Sequence, residues 1–395
     1  MIFKKENYFL SQPHQPFFIL GVVNATIFMF IFMLAYKGVV DLKTTIPFFH
    51  AYSLIFLVFT NFFIGFLFTT FPRFNQSETV SKKFYVNLFY TNVIGSILFL
   101  CAVIISGIFT FFAMFLLFIS YVFMVLKLQN IYNEGYSVNK KDSFWILMAF
   151  YFGIVGQILF LAAKQGVDIE NLAVNLSFYL YLIFLSFIVA QRMIPFFSHS
   201  MEPKDSRFIS AVFMLFLLKV ICSTFEIYYF VKIFEALLDA VTGLYMLKEF
   251  FRWKLLKPGL PAILWVLHLG LFWLPIAFLL SSLGLVVELL FDISFYFLGI
   301  HLVALGFLTT VFVGFGTRVV LGHSGQTPHA DNFAKNIFLF IQFVLLTRVF
   351  FSLNVGFGWG MNFIFDISVS AWLFLFLVWG FRYGRILLFK QNPAH

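Results

Sequence analysis

The sequence predicts an all-α polytopic membrane protein with about twelve transmembrane helices. Of its 395 residues, 62% are hydrophobic, only 11% are charged and 64 are phenylalanine. A soluble chain carries about 25% charged residues, so this chain has too little polar surface to cover a water-facing globule. Its apolar residues form long continuous runs, which are typical of spanning helices rather than of the alternating strands of a membrane β-barrel.

Each apolar run is long enough to cross a bilayer, because a hydrocarbon layer about 30 Å thick needs roughly 20 helical residues. In chain order, the predicted spans are 17–36, 47–71, 84–105, 108–127, 143–163, 171–191, 208–227, 229–248, 261–283, 299–318, 334–354 and 366–388. The gaps between them are too short for a soluble domain. The sequence therefore predicts one transmembrane domain over residues 1–395.

The formal net charge of +9 is explained by membrane orientation and not by nucleic acid. Of the 26 lysines and arginines, the gaps on one side of the membrane hold only Lys37, Lys43 and Lys164. Lys219, Lys232 and Arg348 fall inside spans, and all the others belong to the opposite side. Because the side rich in lysine and arginine is normally cytoplasmic, both termini are predicted to be cytoplasmic, with the lipid bilayer as the main partner.

The predicted topology sorts the histidines by depth. His50 and His301 lie near the outer ends of spans 2 and 10, whereas His14, His268 and His323 lie toward the cytoplasmic side. His301 and His323 are separated by about 33 Å of helix at a rise of 1.5 Å per residue, so one metal ion cannot bind both.

Two kinds of site remain open for these histidines. The outer pair, His50 and His301, suits the axial ligands of a b-type haem, which takes one histidine from each of two helices; the alternative is that both make helix–helix hydrogen bonds. The inner group, His14, His268 and His323, offers imidazoles that suit copper, zinc or iron. Together these five histidines are the candidate metal ligands.

Spans 2, 6 and 10 end in Arg73, Arg192 and Arg318. The helix macrodipole and the positive-inside preference are sufficient to place arginine there. The alternative is a cofactor-binding role, since a guanidinium binds carboxylates such as haem propionates. The predicted topology puts these arginines across the bilayer from the outer histidines, so they would serve only an inner ligand. Their recurrence at every fourth span suggests three arcs of four helices.

Span 8 carries Lys232, Glu235 and Asp239 on one helical face, because residues three and four apart are neighbours on a helix. Lys219 and Arg348 are candidate partners. Ionisable residues inside a span often mark ion or proton paths, so one alternative function is a secondary transporter coupled through this face. A neutralised structural network is the other interpretation, and a non-catalytic scaffold is a third function class.

Several segments, taken in order, resemble the NnrS family of bacterial membrane proteins. They are Pro13–Phe18, His50–Ala51, Gly65–Arg73, Arg192–Phe197, Trp265–Gly270 and Thr317–Gly325. The resemblance implies a multi-pass protein of the bacterial inner membrane that contains haem b and copper and contributes to nitric oxide tolerance, with nitric oxide or an electron donor as a partner. It leaves open whether the protein is an enzyme.

The resemblance also assigns residues. His50, His268, His301 and His323 match histidines of the family pattern, but Tyr52 and Ser53 stand where the family commonly has histidine and glutamate. A fold-level likeness to the main subunit of haem–copper oxidases implies haem-ligating histidines on spans 2 and 10, without the copper-binding histidines of spans 6 and 7.

Overall fold

The computed structural model describes residues 8–200, 202–225, 228–255, 259–327 and 329–390. Long helices fill these ranges, and no strand occurs in them. In chain order they are α1 (His14–Tyr36), α2 (Ile46–Asn75), α3 (Lys82–Ile105), α4 (Gly107–Glu134), α5 (Lys141–Lys164), α6 (Glu170–Phe197), α7 (Phe208–Thr224), α8 (Tyr229–Arg252), α9 (Ala262–Phe291), α10 (Leu298–His323), α11 (Asn332–Gly356) and α12 (Phe363–Phe389).

Each of the twelve predicted spans coincides with one of these helices, so the all-α polytopic prediction is confirmed. Ten of them are long and apolar enough to cross a membrane. The other two are α7, which has 17 residues, and α8, which carries the charged residues noted above. The structure therefore has the helices of a multi-pass membrane protein.

Helix ends follow local capping chemistry. The Thr45 hydroxyl accepts a hydrogen bond from the Phe48 amide at 3.2 Å at the start of α2, and the Asp331 carboxylate accepts one from Ala334 at 2.8 Å at the start of α11. Such caps satisfy amides that have no partner within the helix. At the other end of α2, Gln76 adopts a left-handed conformation (φ 53°) that terminates the helix.

Three helices contain a π-helical segment that the sequence analysis does not predict. The segments are Ser53–Phe59 in α2, residues 176–183 in α6 and Leu302–Thr309 in α10. These are the same three helices that carry Arg73, Arg192 and Arg318 near their C-terminal ends. They are also the most enclosed of the ten, with 83%, 83% and 67% of their apolar stretch buried against 61% or less in the others. The every-fourth-helix recurrence thus has a backbone counterpart.

The chain forms two compact units. The first comprises Met1–Leu182 and Phe376–His395, and the second comprises Ile183–Leu375. In the first unit, α2 packs against α1, α4, α5 and the start of α6. In the second, α9 packs against α8, α10 and the end of α6. The single transmembrane domain over residues 1–395 stays a prediction.

Buried amides link the first four helices. Asn24 of α1 and Asn61 of α2 both donate to the Leu57 carbonyl at 2.7 Å. Asn92 of α3 donates to the Asn61 side chain at 3.0 Å and accepts from Ser120 of α4 at 2.6 Å. Because polar groups in an apolar interior need partners, this chain of bonds specifies how the helices of the first unit pack.

Candidate functional site

His301 lies directly before the π segment of α10, and two groups contact its Nδ1 atom. The Phe297 carbonyl lies 2.9 Å away, and Nη2 of Arg348, from α11, lies 3.1 Å away. A guanidinium only donates hydrogen bonds, so Nδ1 cannot accept from Arg348 and donate to Phe297 at the same time. Donation to Phe297 is the arrangement found when a histidine binds a metal through its other nitrogen.

Arg348 is itself held beside the start of α10. It is 9% exposed; its Nη1 donates to Ser352 Oγ at 2.5 Å and its Nη2 to the Tyr296 carbonyl at 3.2 Å. Tyr296 and Phe297 have φ values of 41° and 59°, a backbone conformation that is unusual for side-chain-bearing residues. Arg348 therefore stabilises a strained turn and places a positive charge beside His301.

His50 occupies a comparable place in α2, three residues before its π segment begins. The Phe32 ring of α1 packs against the imidazole with centroids 4.2 Å apart and planes inclined by 33°. Ser53 donates to the His50 carbonyl at 3.2 Å, so the backbone after the histidine is also held. His50 belongs to the first unit and His301 to the second.

The departure from the family pattern at Tyr52 has a packing explanation. The Tyr52 side chain is fully buried, and its ring contacts those of Phe48, Phe56, Phe99 and Phe160 at centroid distances of 5.0 to 6.2 Å. The position therefore contributes to an aromatic core. Neither Tyr52 nor Ser53 provides the imidazole or carboxylate that a second outer metal would need.

The inner histidines lie at three separate helix positions. His268 is buried in α9, with Nε2 2.6 Å from Ser198 Oγ. His14 is the buried first residue of α1 and packs edge-on against Phe18. His323 is the half-buried last residue of α10. Within the described ranges, no three or more His, Cys, Asp or Glu residues come together in a metal-holding group.

The three arginines have different surroundings. Arg73 is exposed and Arg192 is half-buried. The Arg318 guanidinium lies over the Phe197 ring at 3.9 Å from its centroid, which is a cation–π contact. Arg318 therefore has a structural role at the ends of α10 and α6, and carboxylate binding by these arginines stays a prediction.

The charged face of α8 meets Lys219 of α7. The Lys219 ammonium lies 2.7 Å from both Glu235 and Asp239, so the sequence-based pairing with Lys219 is confirmed. Lys232 lies 3.9 Å from Glu288 of α9 instead. No sequence pattern indicates Phe32, Phe297 or Ser198, because each contacts its histidine only in the folded chain.

Comparison with known proteins agrees with this architecture. The family described as NnrS protein matches residues 8–390, nearly the whole chain. No curated protein matches the chain. With its polytopic helices and its ordered histidine and arginine positions, the chain belongs to the NnrS family of membrane proteins.

Proposed function

We propose that this protein binds a b-type haem in the bacterial inner membrane and contributes to nitric oxide tolerance, and that His50 and His301 are the residues that would ligate haem iron. The NnrS family is generally associated with metal or haem cofactors. The observation that carries the proposal is the 2.9 Å contact between His301 Nδ1 and the Phe297 carbonyl, because a histidine whose Nδ1 donates to a carbonyl keeps the lone pair of Nε2 for a metal.

The backbone context of the two histidines supports the same assignment. Each precedes a π segment of a largely buried helix, and π-helical turns are frequent at functional sites. The contact of each histidine lies within its own unit, with the Phe32 ring for His50 and with the Phe297 carbonyl for His301.

The residues around His301 would influence the redox chemistry of a bound haem. Haem iron would supply one-electron redox chemistry and a binding position for a diatomic gas. The Phe297 carbonyl orients His301 and raises its basicity when Nδ1 is protonated. The neighbouring Arg348 charge favours the more negative, reduced state of a cofactor held there, because opposite charges attract more strongly in a low-dielectric interior.

Copper has weaker support from the side chains. Among the described residues, no three or more His, Cys, Asp or Glu side chains come together. Copper at His14, His268 or His323 stays a prediction of the family resemblance. The same holds for haem propionates at Arg73, Arg192 and Arg318. The secondary-transporter alternative is not favoured.

The haem proposal is tested by optical spectroscopy of the purified protein. We expect reduced-minus-oxidised bands of a b-type haem, and loss of most bound haem in His50→Ala and in His301→Ala. His329→Ala, which alters an exposed loop histidine, serves as the matched control and should keep full haem content. Normal haem content in both ligand variants would refute the assignment.

The nitric oxide proposal needs its own measurement. We expect that nitric oxide shifts the absorption bands of the reduced protein, and that cells carrying His301→Ala grow more slowly under nitric oxide than cells carrying His329→Ala. Equal growth of the two strains, at equal protein levels, would show that the haem site does not contribute to nitric oxide tolerance.

A further inference from the structure

We infer that Lys219, Glu235 and Asp239 form a site that holds one exchangeable proton between α7, α8 and α9. These three residues lie in the second unit and are separate from the histidine sites described above. The inference goes beyond the proposed function and does not depend on haem.

The geometry is that of a closed hydrogen-bonded cluster. Lys219 Nζ lies 2.7 Å from Glu235 Oε1 and 2.7 Å from Asp239 Oδ2. Ser223 donates to the same Glu235 oxygen at 2.6 Å, and Ser281 of α9 donates to the same Asp239 oxygen at 2.7 Å. Every donor therefore converges on one oxygen of each carboxyl group.

The second oxygen of each carboxyl group accepts none of these hydrogen bonds. Glu235 Oε2 and Asp239 Oδ1 are buried and have no hydrogen-bond partner among the described residues. Lys219, Glu235 and Asp239 are 4%, 2% and 0% exposed, so water does not solvate these oxygens from outside. Buried polar atoms without partners are rare because they lose their hydration without compensation.

The formal charges of the three side chains do not balance when all three are ionised. One ammonium faces two carboxyl groups, so the cluster carries a net charge of −1 if both are ionised. A buried, uncompensated charge is strongly unfavourable and is normally removed by a change of protonation. One bound proton makes the cluster neutral. It also converts one of the two unpartnered carboxyl oxygens into a hydrogen-bond donor.

Among the described residues, the neighbouring charged groups do not neutralise this excess negative charge. Lys232, one turn before Glu235, is 3.9 Å from Glu288 of α9 and forms a neutral pair with it. Cys222 of α7 lies within electrostatic range of Lys219, Glu235 and Asp239, but a thiol carries no positive charge. A proton is therefore favoured over a metal cation, which Lys219 would repel.

The cluster lies near the end of α7 and the start of α8, so a proton has a short distance to travel to the helix ends. Lys219 is five residues from the end of α7 and Glu235 is six residues from the start of α8, which is about 8 Å and about 9 Å from those ends at 1.5 Å per residue. Ser223 is half-buried, lies one turn closer to the end of α7 than Lys219, and bonds to Glu235. The predicted topology puts this end outside, so exchange is expected from that side.

Infrared difference spectroscopy of the full-length protein tests the site directly. We expect the carbonyl-stretch band of one protonated carboxyl at neutral pH, with a shift in D₂O that reports exchange. Glu235→Gln and Asp239→Asn should each abolish this band, because a single remaining carboxylate is balanced by Lys219. Lys219→Met should instead double the band, because both carboxyl groups must then be neutral.

Glu249→Gln is the matched control. Glu249 is a buried carboxylate of the same helix, but it is paired with Arg252 at 2.6 Å, so its removal should leave the band unchanged. Absence of the band in the wild-type protein would overturn the inference. Specific stabilisation of the wild type by Na⁺, lost in Asp239→Asn, would show a cation site and would overturn it as well.

Discussion

At the residue scale, the two groups that contact His301 Nδ1 require opposite protonation states of that atom. The Phe297 carbonyl needs a proton on Nδ1, whereas the Arg348 guanidinium needs a lone pair there. Iron bound at Nε2 would require the proton on Nδ1, and Arg348 would then be held by Tyr296 and Ser352 alone. Ligand binding at this histidine is thus linked to the hydrogen bonds of Arg348.

Arg348→Met tests this coupling. It leaves the Tyr296 carbonyl and the Ser352 hydroxyl without a charged donor, and we expect a loss of about 1–3 kcal/mol in the free energy of unfolding, measured as a lower thermal midpoint. In the haem-bound form proposed above, we also expect a lower haem midpoint potential in a redox titration, because a positive charge beside His301 is removed. Arg385→Met, which alters an exposed arginine stacked over Phe381, is the control. An unchanged midpoint potential in a variant that keeps its full haem content would show that Arg348 does not lie near the haem.

At the scale of the element, the π segments depend on side chains that reach five residues back. Thr60, directly after the segment in α2, donates to the Ile55 carbonyl at 2.8 Å and lies 2.6 Å from the Tyr181 hydroxyl. Thr310 follows the segment in α10 and donates to the Leu305 carbonyl at 3.2 Å. In both helices a threonine satisfies a carbonyl where the wider turn begins to close.

Thr60→Val therefore weakens the π segment of α2. Valine keeps the shape of threonine but removes the hydroxyl, so we expect a loss of about 1–2 kcal/mol in unfolding free energy, measured by thermal unfolding in detergent. Thr26→Val is the control, because Thr26 makes an ordinary bond four residues back to Val22 in α1. Equal effects of the two substitutions would show that the π segment gains nothing from Thr60.

At the scale of the whole molecule, the distribution of lysine and arginine predicts how the chain crosses the bilayer. The loop between α4 and α5 carries Lys140, and Lys141 begins α5, so this loop is predicted to be cytoplasmic, whereas the loop between α1 and α2 is predicted to be outside. Tyr136 and Val39 are exposed in these two loops, at 85% and 68%.

Cysteine labelling tests the topology. In a background without Cys101 and Cys222, a membrane-impermeant maleimide added to intact spheroplasts should label Val39→Cys and leave Tyr136→Cys unlabelled. Permeabilised cells should label both. Labelling of Tyr136→Cys in intact spheroplasts would invert the predicted orientation of the chain.

How far the sequence predicts the site depends on the range of the interactions involved. The depth of His50 and His301 follows from where their spans begin, and the pairing of Lys219 with α8 follows from scarce charges on adjacent helices. By contrast, the packing of Phe32 on His50 and the placement of Arg348 beside His301 join different helices, and no local pattern encodes them.

The sequence by itself determined the helices and their order, because burial in lipid acts on each apolar run separately and the bilayer thickness sets its length. Its charge distribution also predicts the orientation. Only the tertiary structure decided where the π segments of α2, α6 and α10 form and which polar groups meet. Examples are the two groups that contact His301 Nδ1 and the Lys219 cluster, in which one oxygen of each carboxyl group has no partner among the described residues. Such pairings depend on how side chains from different helices pack, and the physical cost of an unpartnered buried group then selects among them.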